Sequence, residues 1–148
     1  MAFCRIGLDP LVDSYRKIGI DKHNMQYMKG KAEKIPFPDE YFDIVSSFNS
    51  LDHVDNLDKT INEIIRVLKK GGYFLLLTDV DHDPTICEPI SFSWDIVKRF
   101  LPRLKLVSEK HYEKFANGMY KSILDDIFYD HSNKVQRYGI LSAKFKKL

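Results

Sequence analysis

The stretch Leu57-Asp58-Lys59-Thr60-Ile61-Asn62-Glu63-Ile64-Ile65-Arg66-Val67-Leu68-Lys69-Lys70-Gly71-Gly72-Tyr73-Phe74-Leu75-Leu76-Leu77-Thr78 decides the fold. In its first half, Leu57, Ile61, Ile64, Ile65 and Leu68 recur at helical spacing and form one apolar face, so a helix is predicted from Leu57 to Lys69. Asp55 or Asn56 can cap its exposed amides, and Lys69 and Lys70 suit the negative end of its dipole. Gly71-Gly72 then reads as the permissive turn after it. In the second half, Phe74 to Leu77 leaves neither face polar, which predicts a central strand over Tyr73 to Thr78.

Working outward, elements of both types alternate, the pattern of a layered α/β sheet rather than a bundle or a sandwich. Strands are expected at Phe3 to Leu8, Met25 to Met28, Phe42 to Phe48, Leu104 to Tyr112 and Tyr138 to Phe145. Phe42 to Phe48 reads as a buried strand, and the last strand, ending in Lys146-Lys147, reads as a protected edge. Leu11 to Lys17, with Leu11, Val12 and Tyr15 inward, and Ser93 to Leu101, stopped by Pro102, are the remaining helices. Ile35-Pro36-Phe37-Pro38-Asp39 must be a loop, because each proline lacks an amide donor. Asn49 to Asn56 is a polar connection of the kind found at the carboxyl edge of a sheet, where functional groups collect. Glu113 to Arg137 is polar and aromatic without a secure period, and no internal repeat or low-complexity tract occurs.

The chain has 148 residues, 44% of them hydrophobic, enough for one domain with a real core over residues 1–148. Its 23 Lys and Arg against 21 Asp and Glu leave a net charge of +2, spread without blocks, which gives nucleic-acid binding no support. No stretch is apolar for the roughly 18 residues a membrane span needs, and no signal-peptide pattern opens the chain, so a cytoplasmic protein is expected. Cys4 and Cys87 fit no metal or redox spacing and are expected to be reduced and buried.

Three pieces, in order, resemble one family. Ile6-Gly7-Leu8-Asp9-Pro10, then Gly30-Lys31-Ala32-Glu33-Lys34-Ile35-Pro36-Phe37-Pro38-Asp39 with Phe42-Asp43-Ile44-Val45, then Glu63 to Gly72 look like class I S-adenosylmethionine-dependent methyltransferases. The resemblance covers roughly Phe3 to Asp79. It implies a Rossmann-like α/β sheet, mostly parallel with a reversed final strand, and methyl transfer from S-adenosylmethionine to a small-molecule acceptor, leaving S-adenosylhomocysteine. It implies that Asp9, with Pro10 beside it, accepts hydrogen bonds from the ribose hydroxyls. Lys31, Ala32 and Glu33 would lie along the adenine edge, and Phe48 and Asn49 beside the methionine part. Other readings stand next to these: Asp9 as a helix cap, Glu33 as a solvated loop charge, Phe48 as core. Lys31 stands where an acidic residue is frequent, and an ammonium cannot accept from the adenine amino group.

One family feature has no counterpart. The glycine-rich loop between the family's first strand and helix is not found before Phe3, so the sheet is expected to be N-terminally truncated. Gly71-Gly72 cannot replace it, because that pair follows a helix and opens a strand. The family order puts the missing strand between the strands at Phe3–Leu8 and Phe42–Phe48, leaving a gap of roughly 9–10 Å, two strand spacings. Direct pairing of those strands, strand exchange in a homodimer, or a longer natural protein would each fill it. The alternative to an enzyme is a non-catalytic methyltransferase-like interaction module, or a fragment unable to bind cofactor alone. A nicotinamide-binding domain ranks last, since it too needs a glycine loop.

For chemistry on the acceptor, His53 with Asp52 is the best-placed pair, a carboxylate beside an imidazole base. The bland reading of His53 is a hydrated loop residue. Asp79-Val80-Asp81-His82-Asp83 is rich in ligand atoms but matches no ligand spacing and reads as a polar turn closed by Pro84, so no metal is expected. Tyr112, Phe115, Tyr120, Phe128, Tyr129 and His131 suggest an aromatic cap over about residues 113–137, or core packing under a long connection; Trp94 reads as core.

Overall fold

The computed structural model describes residues 4–115 and 119–148. Phe3 lies outside them; the first strand, β1, is Ile6–Asp9, followed by the short helix α1 (Val12–Arg16) and by β2 (Gln26–Lys29). Then come β3 (Phe42–Phe48), α2 (Leu57–Val67), β4 (Leu68–Val80), β5 (Leu104–Glu113), α3 (Met119–Leu124) and β6 (Gly139–Lys147). The covering segment expected at Ser93 to Leu101 is a 3-10 helix over Trp94–Arg99.

The strands form two sheets. β1 and β2 pair in parallel, and a second sheet runs in the order β3-β4-β6-β5. β3 and β4 are parallel, while β6 is antiparallel to both of its neighbours and is the one reversed strand of its sheet. The reversal was expected; the position was not. β6 lies inside the sheet, and its lysines do not guard an edge: Lys144 sits over the ring of Tyr73, and Lys147 reaches under α2. Direct pairing of β1 with β3 is not adopted. β3 keeps one bare edge, with Ile44 58% and Phe48 53% exposed, which corrects the expectation of a fully buried strand.

The core lies between α2, the Trp94–Arg99 turn and one face of the larger sheet. Ile61, Ile64 and Ile65 supply the helix side, as their spacing predicts. Opposite them Phe74, Phe100 and Phe145 meet with ring centroids 5.0–5.9 Å apart, all three fully buried. Each such ring contributes about 1.5–3 kcal/mol by leaving water.

α2 stops at Val67, two residues earlier than its apolar pattern suggests, because Leu68 already has extended backbone and opens β4. Asn56 Oδ1 accepts from the Lys59 amide at 2.9 Å, the predicted cap. The carboxyl end is closed instead by Lys147, whose ammonium donates to the carbonyls of Ile65 and Leu68 at 2.7 Å each, while Lys69 pairs with Asp43. Gly71-Gly72 lies within β4 and not in a free turn; Gly71 is left-handed at φ +75°, and a Cβ on Gly72 would stand 2.8 Å from the Asp43 carbonyl oxygen. Arg66 completes the proline loop. Its guanidinium donates to the carbonyls of Ile35 and Phe37 at 2.9 and 2.8 Å, and Glu63 accepts from the Ile35 amide. Leu11 is exposed and only Val12 of α1 is buried, and both cysteines are exposed, since Cys4 precedes β1 and Cys87 lies in the loop after β4.

Candidate functional site

The carboxyl ends of β1, β3 and β4 gather most of the polar residues singled out by sequence. Asp9 terminates β1. Its Oδ1 accepts from the Leu11 amide at 2.7 Å across the exposed Pro10, so one oxygen closes the turn into α1 and a second acceptor oxygen remains on the same carboxylate. That contact is to the residue that precedes the helix, and no side chain caps α1 itself, so the helix-cap reading is not met.

After β2, the three expected adenine-side residues divide. Lys31 forms an ion pair with Asp55, whose carboxylate holds the Lys31 ammonium above its ordinary value. Glu33 Oε1 accepts from the amides of Asp55 and Asn56 at 2.7 and 3.1 Å. That oxygen satisfies amides just ahead of α2, and the second carboxylate oxygen remains as an acceptor. Ala32, half-buried between them, keeps no such engagement in its side chain.

At the end of β3, Phe48 is exposed and is not core. Asn49 is left-handed at φ +48°, and its amide donates to the Leu77 carbonyl at 2.7 Å, tying the turn to β4. Its side-chain Oδ1 is buried without a hydrogen-bond partner. Buried acceptors are nearly always satisfied, so an orphan at a strand's carboxyl end marks a place shaped for a donor.

A 3-10 turn over Leu51–His53 follows and carries Asp52 inward. The Asp52 side chain is 0% exposed, and neither carboxylate oxygen has a hydrogen-bond partner. His53 Nε2 stands 3.7 Å from Oδ1, with the ring 41% exposed, so the predicted pair is brought together. Burial pushes the Asp52 carboxyl up from the ordinary carboxylate range. Two further residues, which sequence reasoning missed, join them. His82 Nε2 is 3.8 Å from Asp52 Oδ2 and its ring is 5% exposed; Glu88 Oε1 is 3.9 Å from His53 Nε2. The run 79–83 is not the polar turn expected: Asp79 and Val80 still belong to β4, Asp79 pairs with Lys114, the chain leaves the strand at the left-handed Asp81, and the histidine is buried.

The aromatic segment is pinned to β5. Arg137 reaches Glu113 at 2.6 Å and covers the Tyr129 ring at 4.0 Å, and the buried Tyr112 stacks on the exposed Phe128. Phe115 and Tyr120 are exposed. Trp94 packs on the main core and stacks on His111, which touches His131.

Comparison with known proteins bears on the family and the fold. Residues 7–76 match the family model described as a methyltransferase domain. Over 100 residues the chain is 36% identical to the ubiquinone/menaquinone biosynthesis C-methyltransferase UbiE of Vibrio vulnificus, covering 67% of this chain and 35% of that protein. The Psychromonas ingrahamii protein of the same name is 33% identical, covering 70% of this chain and 44% of its own. The chain thus spans about a third to under half of the length of these relatives. Among solved structures, an S-adenosylmethionine-dependent methyltransferase from Methanosarcina mazei superposes with a TM-score of 0.67 at 15% identity, covering 97% of this chain and 81% of that one. The [4+2]-cyclase SpnF gives the same TM-score at 16% identity, covering 97% and 66%. At that identity the likeness is one of fold.

Proposed function

Because the chain belongs to the class I S-adenosylmethionine-dependent methyltransferases, we propose that its function is methyl transfer from S-adenosylmethionine to a small-molecule acceptor at the carboxyl edge of the sheet. The observation that carries the reading is the unpartnered buried Oδ1 of Asn49 beside the open ring of Phe48. A donor from the methionine part of the cofactor would satisfy that oxygen, and the ring would cover the apolar chain. Asp9, with Pro10 alongside, would take the ribose hydroxyls on its remaining lone pairs. Lys31 and Glu33 act through the loop at Asp55, which they fix, and Ala32 lies against the adenine. The residues present fit the nucleoside and the flank of the methionine.

When bound, the sulfonium supplies an electrophilic methyl; the acceptor's electron pair takes it, the carbon–sulfur bond breaks toward sulfur, and S-adenosylhomocysteine is left. Holding donor and acceptor in line provides most of the acceleration. The relatives are C-methyltransferases by name, and a carbon acceptor must lose a proton. His53 is the side chain for it, half open to solvent and backed by Asp52. The aromatic segment over residues 113–137 would cap the acceptor. Among the described residues no helix is long and apolar enough to cross a membrane.

Calorimetric titration with S-adenosylhomocysteine tests the reading. One saturable site is expected, weakened about 100-fold or more in Asp9→Ala, the effect of losing charge-assisted hydrogen bonds, and about 10-fold in Asn49→Ala. No saturable heat at millimolar ligand from folded chain would overturn it and leave the interaction-module alternative.

A further inference from the structure

We propose that Asp52, His53 and Glu88 bind one divalent cation of the zinc class, with His82 as the donor on its buried side. One oxygen or nitrogen from each of Asp52, His53 and Glu88 converges within 4.8 Å of the others. Two of those separations are 3.7 and 3.9 Å. Tetrahedral zinc held at 2.0–2.1 Å separates its donors by about 3.3 Å, so closing the site takes roughly half an ångström at the two shorter separations and up to about 1.5 Å between Asp52 and Glu88. One imidazole with two carboxylates, and a second imidazole facing the other oxygen of Asp52, form a borderline donor set that suits zinc over calcium or magnesium.

The second observation is the state of the buried groups. Asp52 is wholly buried with both oxygens unpartnered, and His82 Nε2 is buried and unpartnered beside it. His82 Nδ1 lies 3.0 Å from the Asp83 carbonyl oxygen, which can only accept, so Nδ1 carries the hydrogen. With Nδ1 so engaged, His82 Nε2 faces a carboxylate oxygen 3.8 Å away and has no hydrogen-bond partner. A buried carboxylate and a buried ring nitrogen left unpartnered face to face call for a positive centre, and a cation on Asp52 answers both. The backbone supports this placement: Ile90 donates its amide to the Asp52 carbonyl and Ser91 donates its hydroxyl to the His82 carbonyl, so the loop bearing Glu88 is fastened to both. His53 and Glu88, partly exposed, form the entrance. A proton on His82 or His53 is the competing positive centre, and it would leave the site unable to select a metal.

Titration of the metal-free 148-residue chain with zinc chloride in a competing chelator buffer, without cofactor or acceptor, tests the site independently of methyl transfer. One zinc per chain at micromolar affinity or better is expected, with a cobalt(II) spectrum of tetrahedral intensity. Asp52→Asn, His53→Gln and Glu88→Gln should each weaken binding at least 10-fold while circular dichroism stays unchanged. His131→Gln controls for the exposed pair His111 and His131, whose ring nitrogens are 2.8 Å apart, and should leave zinc affinity unchanged. Zinc binding that is lost with His131→Gln and kept in His53→Gln, or no stoichiometric binding at 100-fold excess, would overturn the proposal. Zinc on His53 Nε2 takes the lone pair a base needs, so stoichiometric zinc binding removes His53 as the base, while S-adenosylhomocysteine binding, measured separately, decides the cofactor reading on its own.

Discussion

Gly72 has no room for a side chain: a Cβ there would lie 2.8 and 2.9 Å from the carbonyl oxygens of Asp43 and Lys69, both backbone atoms that cannot swing away. Gly72→Ala should therefore cost about 1–3 kcal/mol through overpacking where β4 joins β3, read as a lower urea midpoint with an unchanged slope. Lys147 presents the opposite case, a residue whose role is electrostatic closure at long range. Its ammonium serves two carbonyls at the end of α2, and Lys147→Met would keep the aliphatic stem while leaving both without that donor. A loss of about 1–3 kcal/mol is expected in the same assay. Asn56→Ala, at the other end of the helix, should cost about 1 kcal/mol. A result in which Asn56→Ala is clearly worse than Lys147→Met would contradict this account of where α2 is held.

At the level of elements, α2 and the proline loop form one unit. Glu63 accepts from Arg66, and Arg66 in turn holds the carbonyls of a loop whose two prolines offer no amides. Arg66 holds the Glu63 carboxyl below its ordinary 4.5. A carboxyl lowered on folding contributes stability that is complete above its unfolded value and disappears as pH falls through the folded one. Unfolding free energy should thus decline as pH drops below about 4.5, and Glu63→Gln should flatten that decline while lowering stability at pH 7; equal slopes for the two proteins would refute the linkage. These elements also show what was legible in advance. The helix face, its Asn56 cap and the loop could be read because each rests on neighbours in sequence. Lys147 could not, since the residues it caps are most of the chain away. The strand order could not either: periodicity shows that Tyr138 to Phe145 is a strand, but nothing local says it inserts between β4 and β5. The site divides the same way. Asp9, Phe48 and Asn49 follow from position at strand ends, and Asp52 with His53 from adjacency. For Glu33 and Lys31 the partners Asp55 and Asn56 arrive only on folding and leave no local signal, and His82 meets Asp52 only because β3 and β4 are neighbours.

Across the molecule, stability should be unevenly distributed. The larger sheet shares one face with α2 and the aromatic core, whereas β1 and β2 form a separate four-residue ladder with only α1 packed closely against it. Among the described residues, the polar ties between the two parts run through the loop after β2: Lys31 to Asp55, Glu33 to the amides before α2, and Ile35 to Glu63 and Arg66. Most of these ties are exposed or partly exposed, and such contacts stabilise little compared with buried apolar area. Amide hydrogen exchange should accordingly show β1 and β2 opening without the rest, with protection factors for Gly7 to Asp9 and Tyr27 to Lys29 at least about 100-fold below those of Phe74 to Thr78 and Ile140 to Phe145. If the cofactor is held with its ribose on Asp9 of the small sheet and its methionine part on Asn49 of the large one, ligand must couple the two. Saturation with S-adenosylhomocysteine should then raise protection in β1 more than in β6, and equal changes in both strands would mean that Asp9 takes no part in binding.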